Sequence, residues 1–174
     1  MRKLFAAALI VVTASISGCA AGPTGLAADY AALPEVCAKY TTGEASASIN
    51  ATGDFGSKPT VTFTSPLSTN EIETKVLIEG SGPAFKGGAQ VKFEYVAFNA
   101  ANGNEFASSK FDGTDAVAQF FTTGQRLDFC HALSGVKEGS RVAVLIPALM
   151  AHDAKGDPAS GITPTDNLIF VIDL

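Results

Sequence analysis

The chain has 174 residues, of which 47% are hydrophobic and 17% are charged, and its formal net charge is −5. This length suits one ordinary domain with an extension, and the hydrophobic fraction is sufficient for a packed core. An acidic chain with no basic patch and no interleaving of aromatic and basic residues does not suit nucleic-acid binding, so no nucleic acid is expected among its partners.

Residues 1–18 have the pattern of an export signal. Arg2 and Lys3 supply a positive start, and the apolar run 4–12 is too short to stay in a bilayer as a spanning helix. The sequence Ile-Ser-Gly-Cys follows and resembles a bacterial lipobox, in which Cys19 is acylated and becomes the first mature residue. The alternative is an ordinary signal peptide with an incidental cysteine.

Lipidation of Cys19 would place the protein outside the cytoplasm, held at the cell membrane by lipid. Loss of residues 1–18 removes two basic and no acidic residues, which leaves 10 basic and 17 acidic residues and a formal charge of −7. A basic surface therefore does not explain membrane attachment, and the lipid itself would supply it.

Residues 19–65 are predicted to be a tether and lead segment. Residues 20–33 are mostly small, which suits a flexible connection. Two short edge strands are compatible with 47–51 and 58–63, on either side of a Gly-Asp-Phe-Gly turn at 53–56.

Beyond residue 66 the strand signals become plain. They are the runs 74–78, 91–96, 105–109, 119–122, 141–146 and 167–174. Apolar residues at helical spacing before the fifth run predict one short amphipathic helix; they are Phe129, Ala132, Leu133 and Val136. The run 148–164 is rich in Gly and Pro and is predicted to be a long irregular loop, which is more often functional than not. This order predicts an α+β domain over residues 66–174, in which an antiparallel β-sheet wraps around one short α-helix.

Two cysteines follow Cys19 in the chain. Outside the cytoplasm thiols tend to oxidise, and an even number fits a disulfide between Cys37 and Cys130. Sequence alone does not place their α-carbons within bonding range, so two buried free thiols are the alternative. His131 and His152 show no metal-ligand spacing with each other or with a cysteine, and no metal is expected.

Several motifs occur in a fixed order along residues 66–174. They are Ile-Glu-Gly-Ser-Gly at 78–82, the strand 91–95, Gly-Asn-Glu-Phe-Ala-Ser-Ser at 103–109, the short run 121–124, the helix–turn–strand unit 124–147, and 163–174. In this order they resemble FKBP-type peptidyl-prolyl isomerases, and the preceding run 53–61 is similar to bacterial FKBP-like lipoproteins. The resemblance implies an FKBP-like fold and an enzyme that uses no cofactor.

The resemblance also implies a bowl of aromatic and apolar side chains that binds a prolyl ring. By position its residues are Tyr95, Phe106, Leu127, Phe129, His152, Ile162 and Phe170. Phe106 would form a wall, Phe129 the floor and His152 the rim, and Leu127 would lie near the backbone N–H that holds the substrate carbonyl. Three positions depart from the family pattern, since Ala107 replaces an Asp, Phe129 a Trp and His152 a Tyr.

The function implied by the resemblance is a membrane-anchored peptidyl-prolyl cis-trans isomerase. It would act on Xaa-Pro segments of exported polypeptides and assist their folding. Because Ala107, Phe129 and His152 alter the polar groups of the bowl, the alternative is an FKBP-fold binding or chaperone-like module with little or no isomerase activity. Neither interpretation sets the oligomeric state.

We expect Cys19→Ser to move the protein from the membrane fraction to the soluble fraction or the medium, because it removes the thiol that would carry the lipid. Immunoblotting of fractionated cells measures this. Thr24→Ser in the tether is the matched control and should stay at the membrane. A Cys19→Ser variant that remains membrane-bound would show that the lipobox interpretation is wrong.

Overall fold

The computed structural model describes residues 37–87, 90–113, 117–120 and 129–174. The predicted signal peptide, Cys19 and Leu127 lie outside these residues. The helices are α1 (Glu44–Ala47), α2 (Phe129–Leu133) and α3 (Ala148–His152), with a 3-10 turn at Pro158–Ser160. The strands are β1 (Asn50–Thr52), β2 (Thr60–Thr62), β3 (Glu73–Ile78), β4 (Gln90–Asn99), β5 (Glu105–Ser108), β6 (Val117–Phe120), β7 (Arg141–Ile146) and β8 (Leu168–Asp173). Among the helices described, none is long and apolar enough to cross a membrane.

Six antiparallel strands form the main sheet. Five of them follow the order β3–β7–β8–β4–β5, and β6 pairs with the first half of β4. β7 and β8 lie in the middle, and every residue of both strands is buried. Burial on both faces explains why the sequence of β7 runs apolar without alternation after Arg141. The predicted α+β class with an antiparallel sheet is confirmed.

Helix α2 covers one face of the sheet. Ala132 and Leu133, with Val136 just beyond the helix, are almost fully buried in one cluster with residues of β7 and β8. This is the apolar face that the helical spacing predicts. Because α2 has only five residues, it depends on this packing for its stability. The turn after it contains Gly135, whose φ of 88° is a left-handed conformation that glycine adopts without steric cost.

The lead segment covers the opposite face. Ile49 is fully buried there in a cluster with Leu145 and Ile169. β1 and β2 pair with each other as a separate two-stranded sheet, in which Ala51 is the partner of Val61. The two strands expected in the lead segment are therefore present, but they form a hairpin that packs on the sheet instead of extending its edge. The described residues before 66 are consequently part of the folded domain and not only a connection to it.

Two charged side chains of β3 hold α1 in place. The Glu73 carboxylate accepts a hydrogen bond from the Ser46 N–H at 2.7 Å. The Lys75 ammonium donates to the carbonyl oxygens of Ala47 and Ile49 at 2.8 and 2.7 Å. An anion therefore meets an N–H of the first turn of α1, and a cation meets carbonyls at and just beyond its C-terminal end, as the helix dipole favours.

A disulfide joins the lead segment to α2. Cys37 and Cys130 are bonded, with their α-carbons 5.8 Å apart and a separation of 93 residues along the chain. Close by, the Ser134 hydroxyl donates to the Cys37 carbonyl at 3.1 Å. The Tyr40 N–H donates to the Ser134 carbonyl, also at 3.1 Å. The start of the described lead segment is thus fixed to α2 on one face of the sheet, whereas the part around Ile49 packs on the opposite face.

Arg141 is a fully buried cation at the start of β7. Its Nε and Nη2 donate to the two carboxylate oxygens of Asp173 on β8, at 2.6 and 2.7 Å. Its Nη1 donates to the Gly53 carbonyl at 2.8 Å, and Nη2 donates to the carbonyls of Asp54 and Ser57 at 2.9 and 2.8 Å. A buried charge is strongly disfavoured without such partners, so this network fixes the turn between β1 and β2 onto the sheet.

The segment that follows β7 is more ordered than the sequence analysis predicts. The expectation of an irregular loop over 148–164 is wrong for α3 and for the 3-10 turn. α3 follows Pro147, whose φ is −67°, and its Ala, Leu and Met residues favour helix. Five residues are too few for a periodic pattern to be recognised, and the helix ends at Asp153 with a left-handed φ of 55°.

We expect Asp173→Asn to lower the free energy of unfolding by about 3–5 kcal/mol, because it leaves the buried Arg141 guanidinium without a counter-charge. Chemical denaturation followed by circular dichroism measures the change. Lys58→Met is the matched control, since it breaks the half-exposed Lys58–Glu105 pair, and exposed pairs contribute about 0–1 kcal/mol. Equal losses for the two variants would contradict a structural role for the buried pair.

Candidate functional site

Four aromatic side chains from four different elements meet on the α2 side of the sheet. Phe170 of β8 lies at the centre and is 6% exposed. Its ring centroid is 5.2 Å from that of Phe129 and 6.2 Å from those of Phe106 and Tyr95. The first two contacts are edge-to-face, with interplanar angles of 88° and 89°, an arrangement that aromatic pairs prefer. We call these four residues the aromatic cluster.

A β-bulge brings Phe106 into the aromatic cluster. Ala107 pairs with Ala97 of β4, whereas Glu105 pairs with Phe98, so Phe106 is the extra residue of β5. A bulge re-aims side chains on its strand, and Phe106 and Ala107 both pack against the core on the α2 side. Ala107 therefore places a methyl group, and no carboxylate, beside the Phe106 wall.

Phe129 and Ile162 are both buried in the core on this side of the sheet. Phe129 is the first residue of α2, directly before the disulfide at Cys130, and is 8% exposed. Ile162 comes from the loop after α3 and is 5% exposed in the same core. The structure thus brings four of the predicted residues together in the aromatic cluster, and the fifth, Ile162, lies in the same core. Tyr95 and Phe106 are half-buried, so the open side of the cluster lies at these two.

His152 is buried at the end of α3, and both of its ring nitrogens are bonded to the backbone. Nδ1 accepts a hydrogen bond from the Gly156 N–H at 2.9 Å, so the ring proton is assigned to Nε2. Nε2 then donates to the Asp166 carbonyl at 2.9 Å. The imidazole therefore holds the two ends of the following loop, and its predicted place at the rim of the bowl stays a prediction.

The Asp166 carboxylate fixes the turn that carries Ile162. It accepts hydrogen bonds from the Thr163 N–H and hydroxyl, at 2.8 and 2.7 Å, and from the Asn99 amide at 2.7 Å. Burial acts to raise the pKa of Asp166, but these hydrogen bonds outweigh it and hold the pKa below its usual value. Sequence analysis missed this residue, although a threonine three residues before an aspartate is typical of such a side-chain-bonded turn.

The described part of the site is made of apolar and aromatic side chains. Leu127 lies outside the described residues, so its place near the substrate carbonyl stays a prediction. Within the ranges that the structure describes, no group of three or more His, Cys, Asp or Glu side chains is placed to hold a metal ion. Sites for small apolar ligands are lined mainly by such side chains, with few polar groups.

Comparison with known proteins assigns this chain to a family. The family model for FKBP-type peptidyl-prolyl cis-trans isomerases matches residues 82–174, more than half of the chain. An FK506-binding protein of Streptomyces anulatus is 32% identical over 117 residues, which cover 67% of this chain and 94% of that protein. The chain therefore belongs to the FKBP-type peptidyl-prolyl cis-trans isomerase family, as its motifs indicate, and its enzyme class is that of the prolyl isomerases.

Two solved structures are similar to part of this chain. The peptidyl-prolyl cis-trans isomerase of Pseudomonas syringae pv. tomato str. DC3000 is 26% identical with a TM-score of 0.48, covering 59% of this chain and 72% of that chain. AtFKBP13 is 23% identical with a TM-score of 0.49, covering 59% of this chain and 89% of that chain. Family membership follows from the sequence matches alone.

We expect Phe170→Ala to destabilise the protein more than Tyr95→Ala. Phe170 is almost fully buried against three rings, and emptying such a position costs about 3–5 kcal/mol. Tyr95 is half-buried, so its truncation removes less packed surface. Urea denaturation of both variants at one temperature compares the losses. Equal losses would show that Tyr95 is a core residue and not part of the open side.

Proposed function

We propose that the protein is a lipid-anchored peptidyl-prolyl cis-trans isomerase that acts outside the cytoplasm and assists the folding of exported proteins. The observation that carries the proposal is the meeting of Tyr95, Phe106 and Phe129 around Phe170 in a chain of the FKBP-type family. An aromatic cluster that is open on one side suits the ring of a proline within an Xaa-Pro segment.

The chemistry of prolyl isomerisation suits an apolar site. Rotation about the bond breaks no covalent bond and needs no nucleophile, metal ion or proton shuttle. The barrier, about 18–20 kcal/mol for a peptide bond, comes from resonance that keeps the amide planar. Water bound to the carbonyl oxygen favours the planar form, so side chains that exclude water favour the twisted transition state. The aromatic cluster would surround the prolyl ring and supply that exclusion.

Two separate features support a location outside the cytoplasm. The export pattern at 1–18 ends at Cys19, which is the residue that a lipobox modifies. The disulfide between Cys37 and Cys130 is typical of proteins in an oxidising compartment. The first feature depends on the N-terminal sequence and the second on the folded domain, so they support the location by different routes.

The role in folding follows from the time scale of the reaction. Uncatalysed Xaa-Pro isomerisation takes about tens to hundreds of seconds at 25 °C, slow enough to limit folding. Exported polypeptides fold after crossing the membrane, and a lipid anchor would hold the isomerase close to the place where they emerge.

A binding module with the same fold is the second candidate. Ala107 provides no carboxylate at the wall, and the ring nitrogens of His152 are both occupied by backbone partners. A binder needs only contacts to the ground state of the peptide, whereas an isomerase must bind the twisted state more tightly. The scarcity of polar groups is the observation that favours the binder.

We expect a shortened chain that starts after Cys19, and so lacks the lipid, to accelerate isomerisation of an Xaa-Pro peptide, measured by NMR exchange. Phe106→Ala should remove most of the activity, because it opens the wall of the aromatic cluster. Glu44→Gln, at an exposed position of α1 in the lead segment, is the matched control and should keep full activity.

A second variant separates the two candidate functions. Phe129→Trp adds an indole N–H, and one well-placed hydrogen bond corresponds to about a threefold to tenfold gain in rate. Circular dichroism checks that the variant is folded. An inactive parent whose folded Phe129→Trp variant is also inactive would rule out the isomerase and favour the binding module.

A further inference from the structure

We infer that the hydroxyl of Tyr95 donates a hydrogen bond to a backbone carbonyl of the bound Xaa-Pro segment, outside the reacting imide. The inference rests on the proposed function, because it names a polar contact within the same site. It follows from how Tyr95 is held, from the absence of competing donors in the described lining, and from the chemistry of the imide.

The backbone of Tyr95 is fixed while its hydroxyl is left unused. The Tyr95 N–H donates to the Ser109 hydroxyl oxygen at 2.9 Å, and the Tyr95 carbonyl accepts from the Ser109 N–H at 2.8 Å. The ring packs 6.2 Å from Phe170 and 5.9 Å from Phe93. In the part of the chain that the structure describes, the hydroxyl has no hydrogen-bond partner. Every buried side-chain polar atom in that part has a partner, so the hydroxyl of this half-buried residue is not itself buried. It is therefore left for a partner outside the described protein.

The other described side chains of the lining offer no free donor. The rings of the aromatic cluster besides Tyr95 are phenylalanines, and Ala107 contributes a methyl group. His152 is the polar side chain predicted for the rim of the bowl, but both of its ring nitrogens are already bonded. Nδ1 accepts from the Gly156 N–H, and Nε2 donates to the Asp166 carbonyl. Among these described residues, the Tyr95 hydroxyl is thus the side-chain donor available to a ligand.

If the site is to catalyse rotation, the carbonyl that the hydroxyl binds must lie outside the imide. A hydrogen bond to the imide oxygen strengthens the double-bond character of the C–N bond and opposes rotation. A carbonyl of a neighbouring peptide unit takes no part in that resonance, so a hydrogen bond to it stabilises the ground state and the transition state equally. Such uniform binding lowers KM and leaves kcat unchanged.

Tyr95→Phe removes the hydroxyl and nothing else. In the full-length protein in detergent, we expect KM for an Xaa-Pro peptide to rise about threefold to tenfold, the scale of one neutral hydrogen bond. We expect kcat to stay within about twofold, since the contact is made equally in both states. The denaturation midpoint should be unchanged, because the hydroxyl makes no bond to the described protein.

Tyr40→Phe is the matched control. Tyr40 is also half-buried, but its N–H donates to the carbonyl of Ser134. Ser134 follows the last residue of α2, whereas Phe129 is the first residue of that helix. The same chemical change at this position should leave KM and kcat as they are. A KM that rises equally in both variants would overturn the inference, since the effect would not belong to the site.

Binding measured without turnover distinguishes the inference from the proposed function. Titration of the peptide, followed by NMR chemical shifts, gives Kd for each variant. If the parent is inactive and Tyr95→Phe still weakens Kd by about threefold to tenfold, the hydroxyl contact with the peptide is supported, whereas the isomerase function and the choice of carbonyl that depends on it both fail. Unchanged KM and Kd in Tyr95→Phe, with binding lost in Phe106→Ala, would overturn the contact while keeping the site. A lower kcat at unchanged KM would also overturn it, because the hydroxyl would then act on the transition state.

Discussion

The buried ion pair between Arg141 and Asp173 determines how the lead segment and the sheet are combined. A buried guanidinium is tolerated only when its charge and its N–H groups have partners. Here the Asp173 carboxylate supplies the counter-charge, and carbonyls of the turn 53–57 accept the remaining hydrogen bonds. The Gly56 N–H in turn donates to Asp173 at 2.7 Å. Phe170 precedes Asp173 by three residues on β8 and packs on the opposite face. The centre of the aromatic cluster and the closing contact of the lead segment are therefore carried by one strand.

The loop after α3 shows where the polar groups of this domain are used. The hydrogen bonds of His152 go to the loop itself, and those of Asp166 go to Thr163 in the loop and to Asn99 at the end of β4. They hold Ile162 against the core and leave an apolar lining. Ala107 and Phe129 both pack in the core on the α2 side of the sheet, so apolar side chains stand at the positions where the family resemblance implies an Asp and a Trp.

Elements defined by local pattern were predictable, and those defined by distant partners were not. The strand 141–146 has the bounds expected from its apolar run, and the turn beside it has Gly139 at a φ of 84°. The aromatic cluster needed the family resemblance, because no local signal relates Tyr95 to Phe170. The carbonyl partners of Arg141 lie more than 80 residues away, and a strand-end arginine in the sequence gives no sign of them. α3 was missed because five residues carry too little periodicity.

The position of β8 has a consequence for how the molecule matures. β8 is the last described strand along the chain, yet it lies between β7 and β4. A chain that emerges from its N-terminus presents the earlier strands before the one that joins them, so their edges stay unpaired until β8 arrives. Contacts over such distances in sequence form slowly, and unpaired edges invite association with other chains. Each newly made copy would therefore pass through a partly folded state with unpaired strand edges. The polypeptides on which the protein is proposed to act pass through such partly folded states as well.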